Sequence, residues 1–178
     1  MLLAALLGLA SASQAQERLR VALVDEPRVG QDAPDFSMPY LTALGPGPAD
    51  QPFRLRAELG RRVLLVVTGD PEGEDAASFW EGLRAMGGTV LPDDLVVIGL
   101  VKADVRRTQE LAARVGEGVK FLPDSAGRVQ RQYGASGKVE GVRLFLISDL
   151  GRVLYRSRGF RFDSASDAKG LREALGGG

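Results

Sequence analysis

Two short runs constrain this chain more than anything else in it. Val63 to Thr68 (VLLVVT) and Leu95 to Val101 (LVVIGLV) are continuous, apolar and rich in β-branched residues. A strand with one wet face alternates apolar and polar residues; a strand covered on both faces has no need to. Both runs therefore read as inner strands of a sheet packed on each side. Between them Ala76, Phe79, Trp80 and Leu83 recur at helical spacing, and Gly87-Gly88 closes that helix. Two buried strands joined through a helix imply a crossover and a parallel pair.

The rest of the chain continues the alternation. Asp104 caps a helix whose apolar face is Val105, Thr108, Leu111, Ala112 and Val115, with Gly116 after its end. Val119 to Leu122 is a short strand before Pro123, and Gly127 to Tyr133 a short helix ended by Gly134. Val142 to Ile147 is a strand, Asp149-Leu150-Gly151 a turn, and Val153 to Tyr155 the antiparallel return. Ser164, with Asp167 three residues on, caps a last helix that buries Ala168, Leu171 and Leu175. Upstream, Pro34 and Pro39 bar a helix, Gly45 to Pro48 is a loop, and Phe53 to Arg56 reads as a half-buried strand. The expected class is α/β: a three-layer sandwich with a central mixed sheet and helices on both faces.

The 178 residues suit one domain behind a leader. Leu2 to Leu9 form an apolar run, and Ser13-Gln14-Ala15 follows as a small-residue cleavage signal. This reads as a secretory signal peptide over 1–15, although a basic n-region is absent. The run is shorter than the ~20 apolar residues a membrane span requires. A linker over 16–29 and a single domain over 30–178 complete the expected organisation. The expected location is periplasmic or secreted, with no membrane span after cleavage.

Composition then removes whole classes of chemistry. Lys plus Arg and Asp plus Glu are 23 each, so the net charge is zero and no nucleic-acid surface is indicated. There is no cysteine and no histidine. Thiolate chemistry, disulfides, serine–histidine catalysis and thiolate or imidazole metal sites are therefore absent. No cofactor is expected.

Four phrases, in order, resemble a known family. Gly30 to Phe36 (GQDAPDF) matches an opening G-x-x-A-P-D-F. Phe53-Arg54-Leu55 through Gly60 to Leu65 matches a strand, a glycine-basic turn and a buried strand. Asp124 through Tyr133-Gly134 matches D-x-x-G-x-V-x-x-x-Y-G, and Phe145 to Val153 matches F-I-I-D-x-x-G-x-V. Together they resemble the thioredoxin-like AhpC/TSA (peroxiredoxin, redoxin) family over about Gly30 to Leu175. The resemblance implies a peroxidatic motif P-x-x-x-T/S-x-x-C directly after the first buried strand. Its Pro, Thr and Cys positions fall here on Gly69, Gly73 and Ala76, and neither Pro71 nor Ser78 restores the register. It also implies an arginine before the penultimate strand that steadies the thiolate. Arg143 lies near that place, offset by one residue, and a one-residue slip turns a strand side chain to the other face. A thioredoxin-type reductase would need C-x-x-C and a proline before this strand; Val142-Arg143-Leu144 has none.

The acidic loop Asp70 to Asp75 is the one concentrated polar feature. Asp70, Glu72 and Glu74 alternate, and Glu81 is twelfth from Asp70, faintly echoing a calcium loop; the sixth position, however, is Asp75 rather than Gly. The simpler reading is acids at a helix N-terminus, favourable to its dipole and crowded around position 76. Asp70 and Glu74 could serve as acid and base, but no second group has a fixed role, and Ser78 has no histidine partner. Phe79 and Trp80 belong to the core face. The expected function is a thioredoxin-like, peroxiredoxin-like exported domain that has lost its redox cysteines, a pseudoenzyme. It would act as a non-catalytic binding or accessory protein, on a protein partner in the envelope or a small-molecule ligand. The alternative is the family's antioxidant oxidoreductase activity by a cysteine-independent route.

Overall fold

The two apolar runs pair side by side in parallel, Leu65 opposite Ile98, and every residue from Val63 to Thr68 and from Val96 to Val101 is buried. The computed structural model describes residues 26–86, 91–135 and 141–176. The expected leader, and residues 16–25 of the expected linker, lie outside the described residues. The strands are β1 (Ser37–Met38), β2 (Leu41–Thr42), β3 (Gly45–Pro46), β4 (Phe53–Arg54), β5 (Arg62–Thr68), β6 (Leu95–Val101), β7 (Val119–Pro123), β8 (Val142–Ile147) and β9 (Val153–Phe160). The helices are α1 (Glu74–Met86), α2 (Val105–Val115), α3 (Arg128–Gln132) and α4 (Ala165–Gly176).

Seven strands form one mixed sheet in the order β3-β2-β7-β6-β5-β8-β9, and β1 pairs with β4 in a separate ribbon. β5, β6 and β7 are parallel; β8 runs antiparallel to β5, and β9, antiparallel to β8, returns to the direction of the central strands. Because side chains alternate along a strand, each face of the sheet has its own core. Leu64, Val66, Leu144 and Leu146 pack against Phe79 and Trp80 of α1, Leu111 of α2 and Leu171 of α4. Leu65, Val67, Ile98 and Phe145 pack against Phe36, Phe53, Leu55, Val129 and Tyr133. The three layers expected from the sequence are present. Gly99 marks the tightest approach within β6: a Cβ there would lie 2.6 Å from Phe121 Cδ1 and 3.1 Å from Trp80 Cζ2.

Two boundaries differ from expectation. The strand expected over Phe53 to Arg56 stops at Arg54, because Leu55–Glu58 turns into a 3-10 helix that carries Leu55 into the core. β9 runs five residues past Tyr155, to Phe160. Glu26 is buried, and the Gly30 amide donates to the Val153 carbonyl at 2.8 Å.

Candidate functional site

The window in which the sequence resemblance places a peroxidatic motif sits at the junction of β5 and α1. The Thr68 carbonyl ends β5 by accepting from the Lys102 amide at 3.2 Å and Gln130 Nε2 at 3.0 Å. The chain then turns tightly: the Glu72 amide donates to Asp70 Oδ1 and the Gly73 amide to the Asp70 carbonyl, each at 3.1 Å. Helix α1 follows at Glu74, and Ala76 is its third residue, in the first turn, 3% exposed. Gly69 and Gly73 lie in the connection. Ligands of α/β sheets bind at the carboxyl ends of the parallel strands, so this junction is the natural site of the fold. The group it offers at position 76 is a methyl.

The carboxylates do not converge on Ala76. Arg107 of α2 pairs with Asp70 at 2.7 Å and Glu72 at 3.4 Å, and Arg114 donates to the Pro71 carbonyl at 3.3 Å. The loop is thereby drawn toward α2, and one guanidinium stands against two of its four carboxylates. Glu74, Asp75 and Ser78 instead form one wall of a cleft of about 270 Å³, with Phe160 to Asp163 as the other. Arg161 grips Asp163 through two bonds, at 3.0 and 2.7 Å, and so holds that carboxyl below its usual range. Glu81 is exposed farther along α1. Among the described residues no group of three or more carboxylates is placed to hold a metal ion.

Arg143 is on the other side of the sheet. It shares its face with Phe145 and Ile147, whereas α1 packs on the face of Val142, Leu144 and Leu146. Its Nη1 donates to the Gly134 carbonyl at 2.9 Å and stands 3.6 Å from Glu26. Arg143 and Ala76 are therefore not brought together. Sequence reasoning missed the residues that do meet Arg143, namely Glu26, Arg156 and Arg158. The alternation of Arg156 and Arg158 in a strand was the available signal, because residues two apart share a face. Tyr133, which closes the Asp124-to-Gly134 phrase of the sequence, donates its hydroxyl to the Pro34 carbonyl at 2.7 Å, and burial pushes its phenol well above its ordinary value.

No protein-family model and no curated protein matches the chain. Solved structures do. A protein from Chlorobium tepidum assigned as the thiol:disulfide interchange protein DsbE is 22% identical with a TM-score of 0.65; the match covers 84% of this chain and 99% of that one. Peroxidoxin BcpB from Mycobacterium tuberculosis is 21% identical with a TM-score of 0.68, covering 85% and 98%. The reduced 2-Cys peroxiredoxin of Plasmodium vivax is 16% identical with a TM-score of 0.66, covering 83% and 80%. At such identities the likeness is one of fold. The chain has a thioredoxin-like α/β fold, and it contains no cysteine.

Proposed function

We propose that this protein is an exported member of the AhpC/TSA group that has lost its redox centre and acts by binding, as a recognition or accessory protein. One observation carries the reading: the first turn of α1, where this fold presents its nucleophile to the site, presents the buried methyl of Ala76. Peroxide reduction and disulfide exchange both pass through a thiolate, and the chain has none. The remaining side chains of the junction, Glu74, Asp75 and Ser78, are not groups that peroxide oxidises, which weighs against a cysteine-independent peroxidase. The cleft between α1 and Phe160 to Asp163 is the surface offered to a protein partner in the envelope or a small ligand. Export rests on the apolar run and the cleavage signal at Ser13 to Ala15. Among the described residues no helix is long and apolar enough to cross a membrane.

Two readouts test the proposal. Protein recovered from the periplasm or medium should begin near Gln16; an intact Met1 on cytoplasmic material would contradict export. The purified protein should leave the rate of insulin reduction by dithiothreitol unchanged, and any acceleration above the protein-free control would contradict a binding role without electron transfer.

A further inference from the structure

β8 and β9 carry a charge arrangement that costs stability and that nothing in the core requires. Their pairing runs from Val142 opposite Phe160 to Arg143 opposite Arg158, so Gly159 is an extra residue in β9, with φ at +68°. Without this bulge Arg143 would face Gly159. With it, two arginines stand directly opposite, and Arg156, opposite Phe145, joins them on the same face. Like charges placed directly across a strand pair are destabilising.

Among the described residues the carboxylate within 4.0 Å of these guanidiniums is that of Glu26, bonded to Arg158, 3.3 Å from Arg156 and 3.6 Å from Arg143. Three positive charges thus face one negative charge. Side-chain exposure rises outward, from 3% at Glu26 through 19% at Arg143 and 34% at Arg156 to 65% at Arg158. The carboxylate is the floor and the guanidiniums are the wall and rim. Donors remain to spare. Among the described residues the side-chain hydrogen bonds of Arg156 are made by Nη1, toward Glu26 and the Pro27 carbonyl, out of the five N–H groups a guanidinium carries. Glu26 Oε1, although buried, accepts no hydrogen bond among the described residues and stands 3.6 Å from Arg143 Nη1, so Arg143 is not consumed by it.

We propose that Arg143, Arg156 and Arg158 form an oxyanion site with Glu26 as its internal counterion, and that its ligand is a tetrahedral dianion of the phosphate or sulfate class. The excess of two charges matches a dianion, and the planar forks suit its oxygens. The site lies on the sheet face opposite α1 and does not depend on the fate of the redox centre, so its test is separate from that of the binding role proposed above.

The experiment is a calorimetric titration of the protein with inorganic phosphate at constant ionic strength, with chloride as the reference. Saturable one-site binding is expected, weakened about tenfold or more in Arg156→Gln/Arg158→Gln. The single Arg158→Gln, at an exposed rim position, should weaken it in the same direction and keeps the test readable if the double variant unfolds. Glu26→Gln removes the competing charge and should tighten binding; phosphate, and not chloride, should restore the melting temperature this variant loses. A merely structural ion cluster would show neither tightening nor rescue. A parallel titration with phenyl phosphate assigns the source: equal or tighter binding indicates a phosphoryl group on a larger ligand, weaker binding the free ion. Phosphate heats indistinguishable from those of chloride, or unchanged affinity in the arginine variants, would overturn the proposal.

Discussion

Gly99 sits where a methyl group has no room, between Phe121 and the indole of Trp80. Gly99→Ala should therefore destabilise the protein by about 1–3 kcal/mol, since overpacked cores must shift rings or backbone. Urea denaturation followed by the fluorescence of the single tryptophan, which borders the strain, reads this directly. An unchanged midpoint would show that the two rings yield freely. A gentler loss is expected at helix α2. The Arg107 amide donates to Asp104 Oδ1 at 2.9 Å, and Asp104→Ala should cost about 1 kcal/mol of stability by leaving that amide without its cap. Here the sequence was legible, because a capping aspartate before an apolar periodicity is a local signal. The Glu26 cluster was not, since its partners are 117 to 132 residues apart and no local pattern links them.

At the scale of elements, the central strands were readable because burial on both faces leaves an unbroken apolar run. β9 was read too short for the opposite reason: Arg156 and Arg158 interrupt the apolar pattern, and the carboxylate that compensates them arrives from the far end of the chain. β1, β2 and β3, two residues each, are held by their partners rather than by pattern. The 3-10 helix Leu55–Glu58 is likewise tied from a distance. Lys120 of β7 donates to Glu58 Oε1 at 3.0 Å, between the rings of Tyr40 and Phe53, and Arg61 also pairs with Glu58. Burial pushes the Glu58 carboxyl up, but the bonds and charges of Lys120 and Arg61 outweigh it, so the folded value lies below the ordinary 4.5. A carboxylate depressed on folding adds stability above its unfolded value and loses it as pH falls through the folded one. The melting temperature should thus fall with pH below 4.5, and Lys120→Met should flatten that fall. Identical acid limbs in the two proteins would rule this pair out as a contributor.

The whole molecule has a thioredoxin-like fold, and the residues that the sequence resemblance assigned to a redox site differ from that expectation in three separate places. The nucleophile position is a methyl, the acidic turn is drawn off by Arg107, and Arg143 serves a cluster on the opposite face. The sequence already displayed the first change, because a missing residue type is visible at any distance. The other two depend on which face a strand presents and which helix a loop leans on, and only the folded chain decides these. A thiol at position 76 would gain from the α1 N-terminus, but burial at 3% exposure opposes its ionisation, and Glu74 and Asp75 outnumber Arg161, whose guanidinium is already engaged by Asp163 in the same cleft. The most direct test is the second-order rate of peroxide consumption, measured side by side on the unaltered protein and on Ala76→Cys. No consumption by the first, and a rate within about tenfold of a free thiol for the second, is the expected result. Turnover by the unaltered protein, or a rate for Ala76→Cys far above that of free cysteine, would contradict the claim that the site has lost both its nucleophile and its electrostatic design.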